Sequence, residues 1–369
     1  MSALDILGVD HVELAIADLD LATGLFVDQY GLEVYARSAD ASDGVRAVAV
    51  GRQGVRLVLT AAGDADHPAA AFVERHGDGV SAIGLSTPDA AAAFAEAVRR
   101  GARPVAEPTT RDGVVTASIT GFGDVVHTFV QRLPGVDARA LPGLPVAGPG
   151  AAEEAAAEGP AAGEPRPTAG LHTVDHFAVC LEAGQLVPTV EFYKTVLDFD
   201  MVFTERIVVG KQAMDSMVVQ NRSGSVTLTL IEPDLSREPG QIDQFIKDHG
   251  GAGVQHIAFA TEDIVRDVAR LGANGVAFLR TPGAYYDLVP ERLALLRHSV
   301  DGLRELNILV DQDQDGQLLQ IFTRSVHPRG TLFFEVIERL GARTFGSGNI
   351  KALYTAVELE QSRTDEAAR

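Results

Sequence analysis

Three short segments in the C-terminal half each carry one metal-ligating side chain inside an apolar, β-prone run. They are Val174-Asp175-His176-Phe177-Ala178-Val179, Val254-Gln255-His256-Ile257-Ala258-Phe259 and Thr331-Leu332-Phe333-Phe334-Glu335-Val336-Ile337. A strand histidine taken alone is most often a packed, hydrogen-bonded residue. Glu335 alters that reading, because it is flanked by Phe333, Phe334, Val336 and Ile337. A carboxylate in such surroundings needs a partner or a cation. Two imidazoles and one carboxylate, with no cysteine among them, suit a non-haem Fe(II) site that keeps positions open for substrate and O2. Zinc accepts the same donors. A zinc hydrolase would also need a general base beside the metal, as in His-Glu-x-x-His, and the chain has no such motif. The polar residues expected around the metal are Ser216, Thr229, Gln241, Gln255, Gln320 and Asn349. Neutral amides and hydroxyls orient a substrate rather than move protons.

The elements that must position these residues read as strands over 172–181, 201–210, 213–220, 225–232, 254–261, 306–311, 317–324 and 331–337. Helical periodicity covers 185–197, 240–249, 262–273 and 349–361, with Asp263 as a start signal for the third. The two halves of the chain follow one script. VDHVELAIADLDLATGLFVDQYGLEVYARS answers VDHFAVCLEAGQLVPTVEFYKTVLDFDMVFTER, and GDGVSAIGLSTPDAAAAFAEAVRRGARPVAEP answers GAGVQHIAFATEDIVRDVARLGANGVAFLRTP. GDVVHTFVQR is matched with GQLLQIFTR. Such a duplication predicts an α+β chain of paired βαβββ modules. His11 aligns with His176, Ala82 stands where His256 stands, and nothing in the first half is matched to FFEVIER. The chemistry is therefore expected in the second half, with the first serving structure or assembly. Among the other histidines, His67, His76, His249, His298 and His327 lie in polar, turn-like contexts and read as solvated. His11 and His127 read as satisfied structural residues.

The predicted units are 1–136, a linker at 137–170, a catalytic unit at 171–361 and a frayed tail at 362–369. The linker is rich in Ala, Pro, Gly and Glu, lacks aromatic residues and cannot form a core. Of the chain's 369 residues, 31 are basic and 51 acidic, for a formal charge of −20. Without clustered Lys and Arg, nucleic acid and anionic membranes are poor partners. No apolar run is long enough to cross a bilayer. The N-terminus lacks a basic segment followed by an apolar core, so a cytoplasmic location is expected. The single cysteine, Cys180, lies in an apolar strand and reads as a buried structural thiol.

The two-half layout, with DHFAV, GAGVQHIAF, PGAYYDL, GQLLQIFT, TLFFEVIER and FGSGNIKALYTAVELEQ in order, resembles the 4-hydroxyphenylpyruvate dioxygenase family. The resemblance spans nearly the whole chain and is strongest over about 172–361. It implies two tandem vicinal-oxygen-chelate (glyoxalase/bleomycin-resistance-like) domains, each an open barrel. It further implies Fe(II) held by His176, His256 and Glu335, with 4-hydroxyphenylpyruvate and O2 as substrates. Because the keto acid supplies its own two electrons, no organic cofactor is needed. A homo-oligomer, a dimer, is expected. In the pocket, Ser216, Thr229, Gln241 and Asn349 are expected to contact the substrate, and Gln255 and Gln320 to orient the ligands. Phe322, Phe333 and Phe345 would form a dry wall, with helix 349–361 as a lid.

The family has two branches, one making homogentisate and one making 4-hydroxymandelate. Where the first has Pro-x-Asn-Glu-Pro, this chain has Thr229-Leu230-Ile231-Glu232-Pro233, and where it has Phe-Gly-x-Gly-Asn-Phe, the matching segment here has Ile350 as its last residue. Losing an amide and a flat ring reshapes the cavity, and small displacements decide outcome in chemistry ruled by positioning. Together with IVVGKQAMDSMVVQ and SVTLTLIEPD, these departures resemble the hydroxymandelate branch, which is associated with hydroxyphenylglycine for peptide antibiotics. Homogentisate formation is the alternative.

Overall fold

The computed structural model describes residues 4–38, 44–146, 168–346 and 348–349. The first half supplies β1 (Gly8–Ala15), β2 (Glu33–Arg37), β3 (Val45–Arg52), β4 (Val55–Ala62), β5 (Gly79–Ser86), β6 (Pro104–Arg111), β7 (Val114–Thr120) and β8 (Val126–Arg132). The second supplies β9 (Thr173–Cys180), β10 (Asp200–Val209), β11 (Gln212–Gln220), β12 (Thr227–Pro233), β13 (Gly253–Ala260), β14 (Leu309–Gln312), β15 (Gln317–Phe322) and β16 (Phe333–Leu340). Each half forms one curled eight-stranded sheet. The orders are β2-β3-β4-β1-β5-β8-β7-β6 and β10-β11-β12-β9-β13-β16-β15-β14. In every βαβββ module the first and last strands lie parallel, and the two modules of a half meet through antiparallel first strands. The paired-module α+β expectation therefore holds.

The register corrects one part of the repeat. β8, the VHTFVQR strand, lies parallel to β5 as β16 lies parallel to β13. It is therefore the counterpart of FFEVIERL, and β7 is the counterpart of GQLLQIF. Short apolar runs ending in a polar pair look alike in sequence, so only the strand partner separates them. His11 pairs with Gly84 as His176 pairs with Ala258. Gly84 in turn pairs with Thr128, as Ala258 does with Glu335. Thr128 thus stands in the place of Glu335, and Ala82 in that of His256.

The helices Leu186–Leu197, Gln241–His249 and Ile264–Ala273 fall close to the expected spans. Asp263 caps the third, its carboxylate accepting from the Arg266 N–H at 3.0 Å. Two further helices, Gly283–Arg292 and Val300–Glu305, went unmarked in the sequence. Gly283 and Pro290 mask the period of the first, and the second delays β14 to Leu309. Residues 137–146, assigned to the linker by composition, pack back on the first half. Leu141 and Leu144 are buried, and Asp112 accepts from the Gly143 N–H at 2.9 Å. Of the rest of the expected linker, 147–167 lies outside the described residues, as do Ile350, most of helix 349–361 and the tail.

The halves pack reciprocally. From the first, Phe26 and Tyr30 lie edge-on against Phe334 of β16 at 5.5 and 5.3 Å. From the second, Tyr193 on Leu186–Leu197 shares a 2.7 Å hydrogen bond with His127 Nε2 on β8. His76 and His249 are buried rather than solvated, because each ends one of two helices that pack together. Their rings stack at 4.4 Å, and His76 Nε2 lies 2.9 Å from Asp124.

Burial pushes the His127 pKa down to about 4, so its ring is neutral at pH 7. Tyr193→Phe removes the partner of a buried imidazole nitrogen and is expected to cost about 1–3 kcal/mol in denaturant unfolding. Unchanged stability would show that this bridge contributes nothing to joining the halves.

Candidate metal centre

Residues that pair across neighbouring strands share a sheet face. His176 pairs with Ala258, His256 with Phe333, and Ala258 with Glu335, so the three ligand-type side chains project from one face of three adjacent strands. His176 Nε2 lies 3.3 Å and His256 Nε2 3.1 Å from the same carboxylate oxygen, Glu335 Oε2. All three ligand atoms fall within 4.8 Å of one another. Glu335 is only 2% exposed, and its other oxygen, Oε1, has no hydrogen-bond partner among the described residues. A buried carboxylate with an orphaned oxygen and two imidazole nitrogens converging on it fits a divalent ion.

A break in the strand aims His176. Between β9 and β13 the register slips at Asp175 and again at Gln255, so each is an extra residue in its strand. The first half repeats both slips, at Asp10 and Ser81. Such bulges re-aim neighbouring side chains. Here the slip lets Asp175 Oδ1 reach His176 Nδ1 at 2.8 Å, leaving Nε2 to face Glu335. Asp175 is held in turn by Arg339, whose Nε and Nη2 donate to its two oxygens at 2.8 Å each. Neither Asp175 nor Arg339 was singled out in the sequence. The available signal was the Asp-His pair recurring as Asp10-His11, with an arginine four residues beyond Thr128 and beyond Glu335.

Burial alone would raise the Glu335 carboxyl, but the two imidazoles outweigh it and hold its pKa near 2. Burial would likewise lower His176, yet the Glu335 and Asp175 carboxylates outweigh that and raise its pKa to about 9. His256 is lowered, burial outweighing its contact with Glu335. Its Nδ1 has no partner among the described residues.

The pocket residues divide into those that join the ligands and those that do not. Ser216 pairs with Ile231 and Thr229 with Ala178, which puts all three candidates on the ligand face. Thr229 Oγ1 is buried without a partner. Gln320 and Phe322 share that face through Ile337 and Glu335. Phe333 stacks on His256 at 5.0 Å, and Phe322 meets the same ring edge-on at 5.6 Å. Phe345 meets His176 edge-on at 5.3 Å. Asn349 is fully buried; its Oδ1 accepts from the Tyr285 hydroxyl at 2.7 Å, and its Nδ2 is unpartnered among the described residues. Gln241 stands exposed at the start of its helix and does not join them; Ile242 and Phe245 turn inward instead. Gln255 occupies the bulge, and the ring nitrogen contact expected of a glutamine is made by Asp175.

Residues 2–139 match the family model described as hydroxyphenylpyruvate dioxygenase, N-terminal, and 173–289 match the glyoxalase/bleomycin resistance protein/dioxygenase superfamily. The chain is 32% identical to 4-hydroxyphenylpyruvate dioxygenase of Dictyostelium discoideum, over 96% of this chain and 98% of that protein. It is 33% identical to the Neurospora crassa protein of that name, over 79% and 71%. Among solved structures, a mutant of 4-hydroxymandelate synthase from Streptomyces coelicolor superposes with a TM-score of 0.81 at 44% identity, covering 96% of this chain and 99% of the other. The two curled sheets are thus a tandem pair of vicinal-oxygen-chelate domains.

A metal ion must displace the proton that His176 carries below pH 9 or so. Apparent affinity for Co(II) is therefore expected to climb by up to about tenfold per pH unit through neutrality and to level off above that pKa. Calorimetric titration at several pH values reads this directly. An affinity unchanged through neutrality would show that His176 holds no proton for the metal to displace.

Proposed function

Since the chain belongs to the 4-hydroxyphenylpyruvate dioxygenase family, we propose that it is an Fe(II) enzyme of the hydroxymandelate-forming branch. The overall conversion is 4-hydroxyphenylpyruvate plus O2 to 4-hydroxymandelate plus CO2. The observation that carries this reading is β12, where Thr229 and Ile231 share the face of His176 and Glu335. The likeness to a 4-hydroxymandelate synthase at 44% identity supports it.

Fe(II), held by His176, His256 and Glu335, would supply the Lewis acidity and redox chemistry that O2 activation demands. It would also give an anionic keto acid the positive charge that an acidic chain does not. The protein's own work is orientation and the exclusion of water. Phe322, Phe333 and Phe345 pack against the two imidazoles and present apolar surface beside them. Ser216, Thr229 and Asn349 Nδ2, which has no partner among the described residues, offer hydrogen bonds to the aromatic end of the substrate. Ile231 offers none. A ring held at one end and unrestrained along β12 can present its benzylic carbon, rather than the ring itself, to the reacting centre. Asp175 fixes the imidazole tautomer of His176. Gln320 packs its amide against Gly346, where a Cβ would come within 2.5 Å of it. That glutamine therefore supports the chain segment over the pocket. Assembly as a dimer and a place in hydroxyphenylglycine supply belong to the same proposal. The second reading, homogentisate formation, uses the same ligands and is favoured by the names of the curated relatives.

Incubating the Fe(II)-loaded protein with 4-hydroxyphenylpyruvate and O2 and separating the products by chromatography tests the branch, since the two products are isomers and mass alone does not separate them. Hydroxymandelate is expected; homogentisate would reassign the chain to the other branch. Glu335→Gln is expected to lower metal affinity and turnover by more than about 100-fold, beyond the usual effect of outer-shell changes, with cooperative unfolding retained. Near-normal turnover in that variant would discard the ligand set.

A further inference from the structure

We propose that Arg339 is a positioning residue that couples the placement of the strap after β16 to the orientation of His176. The proposal rests on the metal-centre reading above. Its guanidinium touches two things at once. One edge grips Asp175, which holds His176 Nδ1. The remaining nitrogen, Nη1, donates to the carbonyls of Ala342 and Thr344 at 3.2 and 2.7 Å, and the group lies 5.0 Å over the ring of Phe345. That ring in turn meets His176 edge-on. The strap after β16, which carries Phe345, Gly346 and Asn349, is thereby fastened to the side chain that orients a metal ligand. Asp313, in the β14–β15 turn, secures the strap from the other side by accepting from the Arg343 and Thr344 N–H groups at 2.7 and 2.9 Å.

The first half contains the same device without the metal ligands. Arg132 forms a bidentate pair with Asp10, which contacts His11 Nδ1 at 2.8 Å. Its Nε donates to the Ala140 carbonyl at 3.0 Å, and Asp112, in the β6–β7 turn, holds the Gly143 N–H. There the strap's Leu141, Pro142 and Leu144 help line a cavity of about 430 Å³. The fastening thus belongs to each half-barrel, and only in the second half does it reach a metal ligand. Bidentate carboxylate pairing, two carbonyls and a ring face together require a planar fork. Lysine carries the charge but not that geometry.

The test compares R339Q, R339K and R132Q with the unaltered protein. It reads Co(II) affinity, the Co(II) visible spectrum with and without 4-hydroxyphenylpyruvate, kcat, KM and thermal unfolding. Both Arg339 variants are expected to lower Co(II) affinity by about tenfold or more and kcat by more than they raise KM. They should also lose the substrate-induced change in the Co(II) spectrum. R132Q is expected to lower the unfolding temperature about as much as R339Q does, while keeping affinity and kcat within about twofold. Normal affinity and kcat in R339Q, full rescue by R339K, or equal losses in R132Q would each overturn the proposal. Affinity and the substrate-free spectrum do not depend on turnover. If the unaltered protein fails to convert 4-hydroxyphenylpyruvate, the functional reading falls and the test of Arg339 still stands.

Discussion

A carboxylate shut away from water must face positive charge or hydrogen-bond donors, and among the described residues two imidazole nitrogens provide them for Glu335. Much of the second half's arrangement answers that demand. Three adjacent strands bring the groups together, with β13 in the middle, parallel to β16 and antiparallel to β9. The slip at Asp175 turns His176 so that one nitrogen faces a fixed carboxylate and the other faces Glu335. Aromatic rings then surround the imidazoles and keep the local dielectric low, which strengthens every one of these contacts.

The sheet beneath is stabilised from the far side by the other half of the chain. Phe334 alternates with Phe333 and Glu335 along β16, so it points away from the pocket and into the aromatic cluster with Phe26 and Tyr30. One strand therefore carries a ligand-type carboxylate on one face and the contact between the halves on the other. Tyr193 and His127 return that contact in the opposite sense. The first half, though stripped of two of the three ligand positions, sets the ground on which the second holds its site.

The sequence made the duplication, the three ligand-type residues and most strands visible, because period, burial demand and residue type are local signals. It misassigned β8 because a strand's partner is not a local property, and GDVVHTFVQR carries as much apolar character as either candidate. It missed Asp175 and Arg339 for a related reason: a charged residue beside an apolar strand reads as solvent-facing until a bulge turns it inward. Gln241 was chosen by chemical type, and the helix phase set by Ile242 and Phe245 left it outside. Residues 137–146 looked like linker by composition, yet two leucines sufficed to pin them down.

The pair His11 and Glu13 carries a consequence of its own. Burial would make His11 shed its proton, but the Asp10 and Glu13 carboxylates keep its pKa near 9. Glu13 Oε1 lies 3.2 Å from His11 Nε2, a separation like those between the imidazoles and Glu335. Glu13 is two residues along the same strand, so this neutralisation is covalently built in and independent of what the solution contains. Under the proposed metal reading, the second half instead draws its neutralising ion from outside, and its stability follows the chemical potential of that ion. One polypeptide would thus join a half-barrel whose stability is indifferent to metal supply to a twin whose stability rises and falls with it.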